Sequence, residues 1–426
     1  MSLPFATRAL RSRNYKLFFT GQGVSLIGTW MTRIATSWLV YRLTGSAALL
    51  GIVGFASQIP AFVLGPLAGV WVDRWDRHRT IVVTQILSAV QSLALAVLAL
   101  AHIITVWEIV ALALFQGLIN AFDMPARQSF VLQMVEHRDD LGNAIALNSS
   151  TANAARLVGP AIAGLVVAQV GEGYCFLIDG VSYIAVIVSL LMMRIAAAPA
   201  RKPARHVLHE LHEGWHYVVN SVPIRSILTN HAIVNLFGMP YSVLMPIFAA
   251  KVLGGNAHTL GFLMSATGVG ALLGAMMLAA RKNVIGLGRR IVMTTALFGA
   301  ALLSFSLSRY LWLSLLLLPL AGFGMMQEMA SSNTILQTIV DDEKRGRVMA
   351  FYSMAGQGML PFGSLLAGTL AARFGAPVTL ALCGIVCMMG SVWFAGRLPR
   401  IRQLVRPIYV RLGIVEALPE LPSTEA

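Results

Sequence analysis

Charged side chains are scarce in this sequence, and acidic ones are scarcer than basic ones. Only 12% of the 426 residues are Asp, Glu, Lys or Arg, whereas 57% are hydrophobic and the mean hydropathy is +0.73. A soluble globular domain carries about 25% charged residues, so this composition excludes a soluble protein. It indicates a protein embedded in a lipid bilayer.

Cysteines are also few, and the motifs of common enzymes are missing. Cys175, Cys383 and Cys387 all lie in apolar stretches, where packing as small hydrophobic side chains explains them better than a metal or redox site. The sequence has no glycine-rich phosphate loop that ends in Gly-Lys-Ser or Gly-Lys-Thr, and no convincing nucleophile–base pair. We therefore expect no ATP site, no enzymatic activity, no cofactor and no bound metal.

Twelve apolar stretches are long enough to cross a bilayer, which takes about 20 residues of helix. These predicted spans 1 to 12 lie at 18–40, 47–72, 80–101, 106–125, 143–169, 173–194, 224–250, 259–280, 290–308, 311–337, 347–371 and 376–396. Lys and Arg concentrate in alternate connections, and by the positive-inside rule this asymmetry places both termini in the cytoplasm. A nucleic-acid patch would not alternate with span number, so the net charge of +14 does not indicate nucleic-acid binding.

The second half of the chain repeats the first. A shift of 204 residues matches Gly164 with Gly368, and earlier in the halves a shift of 210 matches Gly51 with Gly261. A duplication of six helices explains these matches, because they fall at equivalent points of equivalent spans. We therefore predict an all-α membrane protein of twelve transmembrane helices in two pseudo-symmetric six-helix bundles. The bundles lie at 1–195 and 223–397, joined by a linker at 196–222 and followed by a cytoplasmic tail at 398–426.

Two arginines lie deep within predicted spans, Arg33 in span 1 and Arg156 in span 5. A charge at the bilayer centre costs about 3 kcal/mol or more, so each should face protein or water and have a partner. Substrate or proton contact and an ion pair between helices are both open, with Asp179 of span 6 a candidate counter-charge for either. A net positive pair would suit anionic or polar-faced substrates.

Polar stripes run along spans 1, 4, 7 and 10. Gln116, Asn120 and Asp123 share a face of span 4, and Asn235 lies on the polar face of span 7. Glu328 of span 10 lies one residue from the repeat equivalent of Asp123. A buried carboxylate could load and release a proton. The alternative is a carboxylate that is hydrogen-bonded and never titrates.

The short charged connection between spans 2 and 3 resembles a motif of a known protein family. Residues 65–79 read GPLAGVWVDRWDRHR, and this spacing resembles the signature loop of the major facilitator superfamily, with Asp76 where a second glycine is usual. The resemblance implies a charge lock that closes the cytoplasmic side of the two halves. The matching residues are Asp73, Arg74, Arg77, Arg79 and Asp123, with the helix start near Gly346 as receptor. A solvated turn that only sets topology is the alternative.

Span 5 carries a second motif of the superfamily. Small residues and a proline allow close packing and bend the axis in the stretch Gly159, Pro160, Ala163 and Gly164. This stretch resembles the fifth-helix motif of exporters, with Ala163 where a glycine is usual. Together with WLVYRLTGS and NAFDMPARQS, it is similar to the bacterial branch that includes the enterobactin exporter. Span 4 lacks the embedded arginine of many proton-coupled drug antiporters of the superfamily.

The linker reads as an amphipathic helix on the inner membrane surface. His206, His209, His212 and His216 lie on its polar side, where a solvated face is a better explanation than a Zn²⁺ or Ni²⁺ site.

The resemblance implies a monomeric secondary exporter of small, drug-like or siderophore-like molecules in the bacterial inner membrane. We expect it to be driven by a proton gradient. A lipid or lysolipid transporter of the same fold and a non-transporting membrane sensor or assembly partner are the alternatives.

Overall fold

The structure, a computed structural model, describes residues 8–194 and 207–415, and nearly all of them are helical. After a 3-10 turn at Arg8–Arg11, the first half contains spans 1 to 6. Their helices are Arg13–Thr44, Ala47–Ala56 with Ile59–Arg74, Arg77–Leu100, Val106–Met134, Leu141–Val170 and Glu172–Leu191. A linker helix, Val207–Asn220, lies between the halves in sequence.

The second half contains spans 7 to 12, of which spans 7 and 11 are interrupted. Span 7 consists of Val222–Ile233, a π-helix at Val234–Gly238, Tyr241–Ile247 and a second π-helix at Phe248–Val252. Spans 8 to 10 are Ala257–Ala279, Leu287–Leu307 and Leu311–Ile339. Span 11 consists of Asp342–Gly356 and Leu360–Phe374, and span 12 is Ala376–Arg411. The prediction of twelve helices in two bundles is confirmed.

Ten of the spans in the described ranges are long and apolar enough to cross a membrane by composition alone. The other two are span 1, which carries the polar stripe, and span 11, which a 3-10 turn at Gln357–Met359 divides. Both still lie among the other spans, so packing against neighbouring helices compensates for what their sequences lack in hydropathy.

The described parts of the two segments outside the bundles are mostly helical. The helix of span 12 continues to Arg411, so the predicted tail begins as an extension of that span, with Ile401 and Val405 buried in the second-half core. The linker helix lies on the start of span 11, where the Trp215 and Phe351 rings are 5.9 Å apart.

Among the described residues, the buried core joins the two halves on one side of the membrane only. We call the side on which spans 1 and 12 have their outer chain ends the terminal face. Away from that face, one continuous apolar cluster contains residues of both halves, including Leu50, Ala163, Leu260 and Phe298. Towards the terminal face the core separates into two clusters, one in the first half and one in the second half with the linker.

Two glycine crossings hold the halves together near the opposite face. A Cβ on Gly51 of span 2 would lie 2.9 Å from the Cα of Gly368 in span 11. A Cβ on Gly164 of span 5 would lie 3.0 Å from the Cα of Gly261 in span 8. Backbones this close exclude any larger residue. The two crossings are related by the internal repeat, since the sequence matches Gly51 with Gly261 and Gly164 with Gly368.

Glycines near the terminal ends of spans 2 and 11 face open space. A Cβ on Gly65, Gly69 or Gly346 would meet nothing within 4 Å. With the divided core, these open positions describe a cleft between the halves that widens towards the terminal face. The membrane-spanning interior of the protein is therefore accessible from one side in this conformation.

Candidate functional site

Arg33 and Arg156 converge on one aromatic ring, that of Trp30. The guanidinium carbon of Arg33 lies 4.9 Å from the Trp30 ring centroid, and that of Arg156 lies 5.3 Å from it. The approach depends on Gly159, because a Cβ there would lie 2.5 Å from the Cβ of Trp30. Spans 1 and 5 can therefore pack so closely that Arg156, one turn before Gly159, reaches the same ring. Guanidinium groups are attracted to the face of an indole.

The arginines line the cleft. Arg33 is exposed and Arg156 is half-buried. Arg156 also interacts electrostatically with Tyr241 of span 7, which places the cluster where the two halves meet.

Neither arginine forms an ion pair with a described side chain, where an ion pair requires N and O within 4.0 Å. Asp179, considered above as their counter-charge, lies elsewhere. It is 2% exposed and accepts hydrogen bonds at 2.8 Å from Thr32 and at 2.7 Å from Ser92. The interpretation of the arginines as an ion pair between helices therefore finds no support among these residues.

The first half holds a partly buried carboxylate at Asp123. Its oxygens accept hydrogen bonds from Thr84 at 2.7 Å and Gln85 at 2.9 Å, and Arg127 pairs with it at 2.7 Å. Arg127 also donates a hydrogen bond to Gln22 of span 1. Arginine remains protonated at any physiological pH, so this carboxylate has a permanent cation beside it.

The second half holds its carboxylate, Glu328, in a more deeply buried place. Glu328 is 1% exposed and lies 3.2 Å from His231 of span 7, which is 3% exposed. Ser332 donates a hydrogen bond to Glu328 at 2.9 Å, and Asn230 donates one at 3.4 Å. The His231 ring stacks on Tyr352 of span 11, with ring centroids 4.3 Å apart.

The two carboxylates lie at closely matching positions of the repeat. The shift of 204 residues places Glu328 one residue from the equivalent of Asp123. Asp123 has an arginine of its own span as its partner, whereas Glu328 has a histidine from the first span of the second half. Histidine gains and loses its charge near neutral pH, whereas arginine does not.

The remaining polar candidates lie at the edges of these clusters. Gln116 donates hydrogen bonds to Asn120 at 3.1 Å and to Ser88 at 3.3 Å, and Asn120 is exposed on span 4. Asn235 lies in the π-helical part of span 7 and donates to the carbonyl oxygen of His231 at 2.8 Å. Asn235 thus supports the histidine.

The proposed lock residues lie at the terminal face. The side chain of Asp73 lies outside the part that the structure describes. Arg74 is exposed at the end of span 2, and Arg79 lies 3.8 Å from Asp76, whose carboxylate caps span 3 by accepting the backbone N–H of Arg79 at 3.1 Å. Arg77 is half-buried at the first position of span 3, and Gly346 faces open space. In this open conformation Asp123 pairs with Arg127.

The fifth-helix motif lies at the contact between the halves. Gly159 receives Trp30, the carbonyl oxygen of Pro160 lies 2.6 Å from where a Cβ on Gly261 would be, and Ala163 is fully buried. Gly164 forms the crossing with span 8.

The linker histidines are mostly outside the described residues. His206 and the side chains of His209 and His212 are not described, and His216 lies 3.0 Å from the side-chain nitrogen of Asn220. Within the described ranges, no group of three His, Cys, Asp or Glu is arranged for a metal ion.

Sequence reasoning missed Trp30 as the ring between the arginines and His231 as the partner of Glu328. Trp30 could have been found, because it lies one turn from Arg33. His231 was visible on the polar face of span 7, but 97 residues separate it from Glu328. Only the packing of span 7 against span 10 joins them.

Known proteins resemble this chain in sequence and in fold. The staphyloferrin A transporter of Staphylococcus aureus is 26% identical over 385 residues, covering 90% of this chain and 96% of that protein. The multidrug efflux pump Tap of Mycolicibacterium fortuitum is 30% identical over 391 residues, covering 88% and 93%. A solved POT family transporter in complex with 5-aminolevulinic acid has a TM-score of 0.74 at 11% identity, covering 92% and 97%.

The family assignment follows from nearly the whole sequence. Residues 4–405 match the family described as transmembrane secretion effector. The chain therefore belongs to this family of major facilitator transporters, and it exports small molecules across a membrane.

Proposed function

We propose that proton entry drives export and that the His231–Glu328 pair carries the proton. The observation behind this proposal is the buried contact at 3.2 Å between a histidine and a carboxylate, with no arginine or lysine paired to either among the described residues. One proton more or less changes the net charge of such a pair. A change of charge in a buried site alters the free energy of each conformation strongly.

The surroundings of the pair contain few other titratable groups. Tyr352 from span 11 and Cys387 from span 12 are in electrostatic range of Glu328. Asn230, Asn235 and Ser332 supply neutral hydrogen bonds. The proposal therefore assigns the proton to the histidine and the carboxylate.

The pair lies where a charge change can reach the moving parts. Tyr352 stacks on His231 and donates a hydrogen bond at 2.8 Å to the carbonyl oxygen of Met329 in span 10. It therefore joins spans 7, 10 and 11. Span 11 also carries Gly346, the proposed receptor of the lock. Protonation of the His231–Glu328 pair would change the packing of span 11 against spans 7 and 10. This change would shift the equilibrium between the open and the closed terminal face.

The terminal face is cytoplasmic in this proposal, in agreement with the basic residues at that side. The conformation described above is then open to the cytoplasm and ready to take up substrate. Closure would bring the start of span 11 to the loop of Asp73, Arg74, Arg77 and Arg79, and the opposite face would open. The crossings at Gly51 and Gly164 would separate in that step.

The substrates that we propose are siderophore-like or drug-like, as the names of the relatives suggest. The protein would work as a monomer in the bacterial inner membrane, with the proton gradient as its energy source and no cofactor.

Everted membrane vesicles test the proposal, with two probes: staphyloferrin A, and a macrolide because macrolide efflux protein A of Streptococcus pyogenes is 23% identical over 394 residues. Energised vesicles should accumulate at least one probe, and a protonophore should abolish the accumulation. Accumulation that persists after the proton gradient has collapsed would contradict proton coupling. Vesicles without the protein are the control.

A further inference from the structure

We propose that Arg33 and Arg156 form a binding site for a small molecule that carries at least two carboxylates. This inference rests on the proposed function as an exporter and names its substrate class.

The first step is the charge of the site. Two guanidinium groups lie in the same enclosed part of the cleft and interact electrostatically with each other, as like charges that repel. No carboxylate oxygen of a described side chain lies within 4.0 Å of either group. The Trp30 ring attracts both but carries no net charge, so the site stays doubly positive until an anion enters.

The second step is the spacing. Each guanidinium carbon lies near the Trp30 centroid, at 4.9 Å and 5.3 Å, so the two carbons are at most about 10 Å apart. A guanidinium binds a carboxylate through two parallel N–H···O hydrogen bonds at about 2.8 Å. One flexible molecule with two or three carboxylates can therefore reach both arginines. A second carboxylate gives the second guanidinium a bidentate partner of its own.

The third step is access. Arg33 is exposed to the cleft, which opens at the terminal face, and Arg156 interacts with Tyr241 of the other half. A ligand here would touch both halves at once. This is the position at which binding can be coupled to the movement of one half against the other.

A structural role for the arginines accounts less well for these observations. Arginines that hold helices together are found with carboxylates or backbone carbonyls as partners. Neither guanidinium donates a hydrogen bond to a described residue, and Asp179 on neighbouring span 6 accepts hydrogen bonds from Thr32 and Ser92. Both guanidinium groups therefore remain available to a ligand in the cleft.

Equilibrium binding of radiolabelled citrate to the purified full-length protein in lipid nanodiscs tests the site. Citrate carries three carboxylates, and its trimethyl ester has a similar shape without the charge. Wild type should bind citrate saturably, and trimethyl citrate should not compete. Arg33→Gln and Arg156→Gln should each weaken binding at least tenfold, and Arg33→Lys should retain part of the affinity. Arg373→Gln, an exposed arginine at the opposite end of span 11, is the matched control and should bind as wild type does.

Several results would overturn the inference. These are no citrate binding by wild type, equal competition by trimethyl citrate, and unchanged affinity in both Arg→Gln variants. Competition by inorganic phosphate as strong as that by citrate would assign the site to any oxyanion and overturn the carboxylate class. If a Gln variant does not fold, the two competitors on wild type decide alone.

The binding measurement needs no proton gradient, so it is separate from the proposed function. Arginine-dependent citrate binding without accumulation of any probe in energised vesicles would leave this site standing and reject the export mechanism. Proton-driven accumulation of a probe with no arginine-dependent binding would do the reverse.

Discussion

Each half of this transporter has a carboxylate within one residue of the matching repeat position, and the two carboxylates have different partners. In the first half Asp123 pairs with Arg127 at 2.7 Å, and both side chains are partly accessible, at 13% and 23%. In the second half Glu328 and His231 are 3.2 Å apart and almost fully buried, at 1% and 3%. Duplication thus produced one carboxylate with a permanent positive partner and one with a titratable partner. We propose that only the second can serve as the proton carrier.

The largest effect is expected from removing the titratable pair. Glu328→Gln or His231→Gln should reduce proton-driven accumulation to the level of vesicles without a gradient. Exchange of labelled for unlabelled substrate should continue, because it needs no net proton movement. Transport and counterflow assays in vesicles separate the two activities.

Glu136→Gln, an exposed carboxylate between spans 4 and 5, is the control and should behave as wild type in both assays. Proton-driven accumulation at the wild-type level in Glu328→Gln would show that Glu328 does not carry the proton.

The second prediction concerns stability, for which the larger effect is expected in the first half rather than the second. Asp123→Asn leaves the arginine charge without its carboxylate in a partly buried place, which costs on the order of 2 kcal/mol. Glu328→Gln should cost less, because it leaves no arginine or lysine of the described residues without its carboxylate. Thermal unfolding of the purified variants measures the difference. A lower Tm for Glu328→Gln than for Asp123→Asn would contradict it.

The third prediction tests the glycine crossings, which the internal repeat relates to each other. Gly164→Val and Gly368→Val add side chains at the equivalent crossings, where a Cβ already lies within 3.0 Å of the partner backbone. Both should separate the halves at the opposite face and close the terminal face. A cysteine introduced at Gly346 should then react several-fold more slowly with a polar thiol reagent.

Background labelling in that experiment is low, since Cys175, Cys383 and Cys387 are buried. Unchanged labelling in both variants, or a change in only one, would argue against the symmetric crossing.

The smallest effect is expected at Asp179, a buried carboxylate in span 6. Asp179 accepts hydrogen bonds from two hydroxyl groups and has no cation beside it among the described residues. Asp179→Asn can keep one accepting oxygen, so we expect a change within about 1 kcal/mol in stability and near wild-type export. Loss of proton-driven transport in this variant would mean that the first half also carries a proton.

Much of the architecture could be predicted because it depends on the local composition of the chain and on its internal repeat. Twelve apolar stretches, the alternating basic connections and the matched glycines specify the spans, and Gly164 and Gly368 indeed lie at equivalent crossings. The site was harder to predict. That Arg33 and Arg156 share Trp30, and that His231 meets Glu328, depends on which faces of distant spans touch. Sequence spacing within one helix carries no information about that contact.

Infrared difference spectroscopy of the purified protein between low and high pH tests the central claim most directly. The C=O stretching band of a carboxylic acid disappears when the acid loses its proton. Comparison with a variant that lacks one carboxyl group assigns a band to that side chain. We predict a band in wild type that is lost in Glu328→Gln and kept in Asp123→Asn. A band that survives in Glu328→Gln, or that disappears only in Asp123→Asn, would contradict the assignment of the proton to the second half.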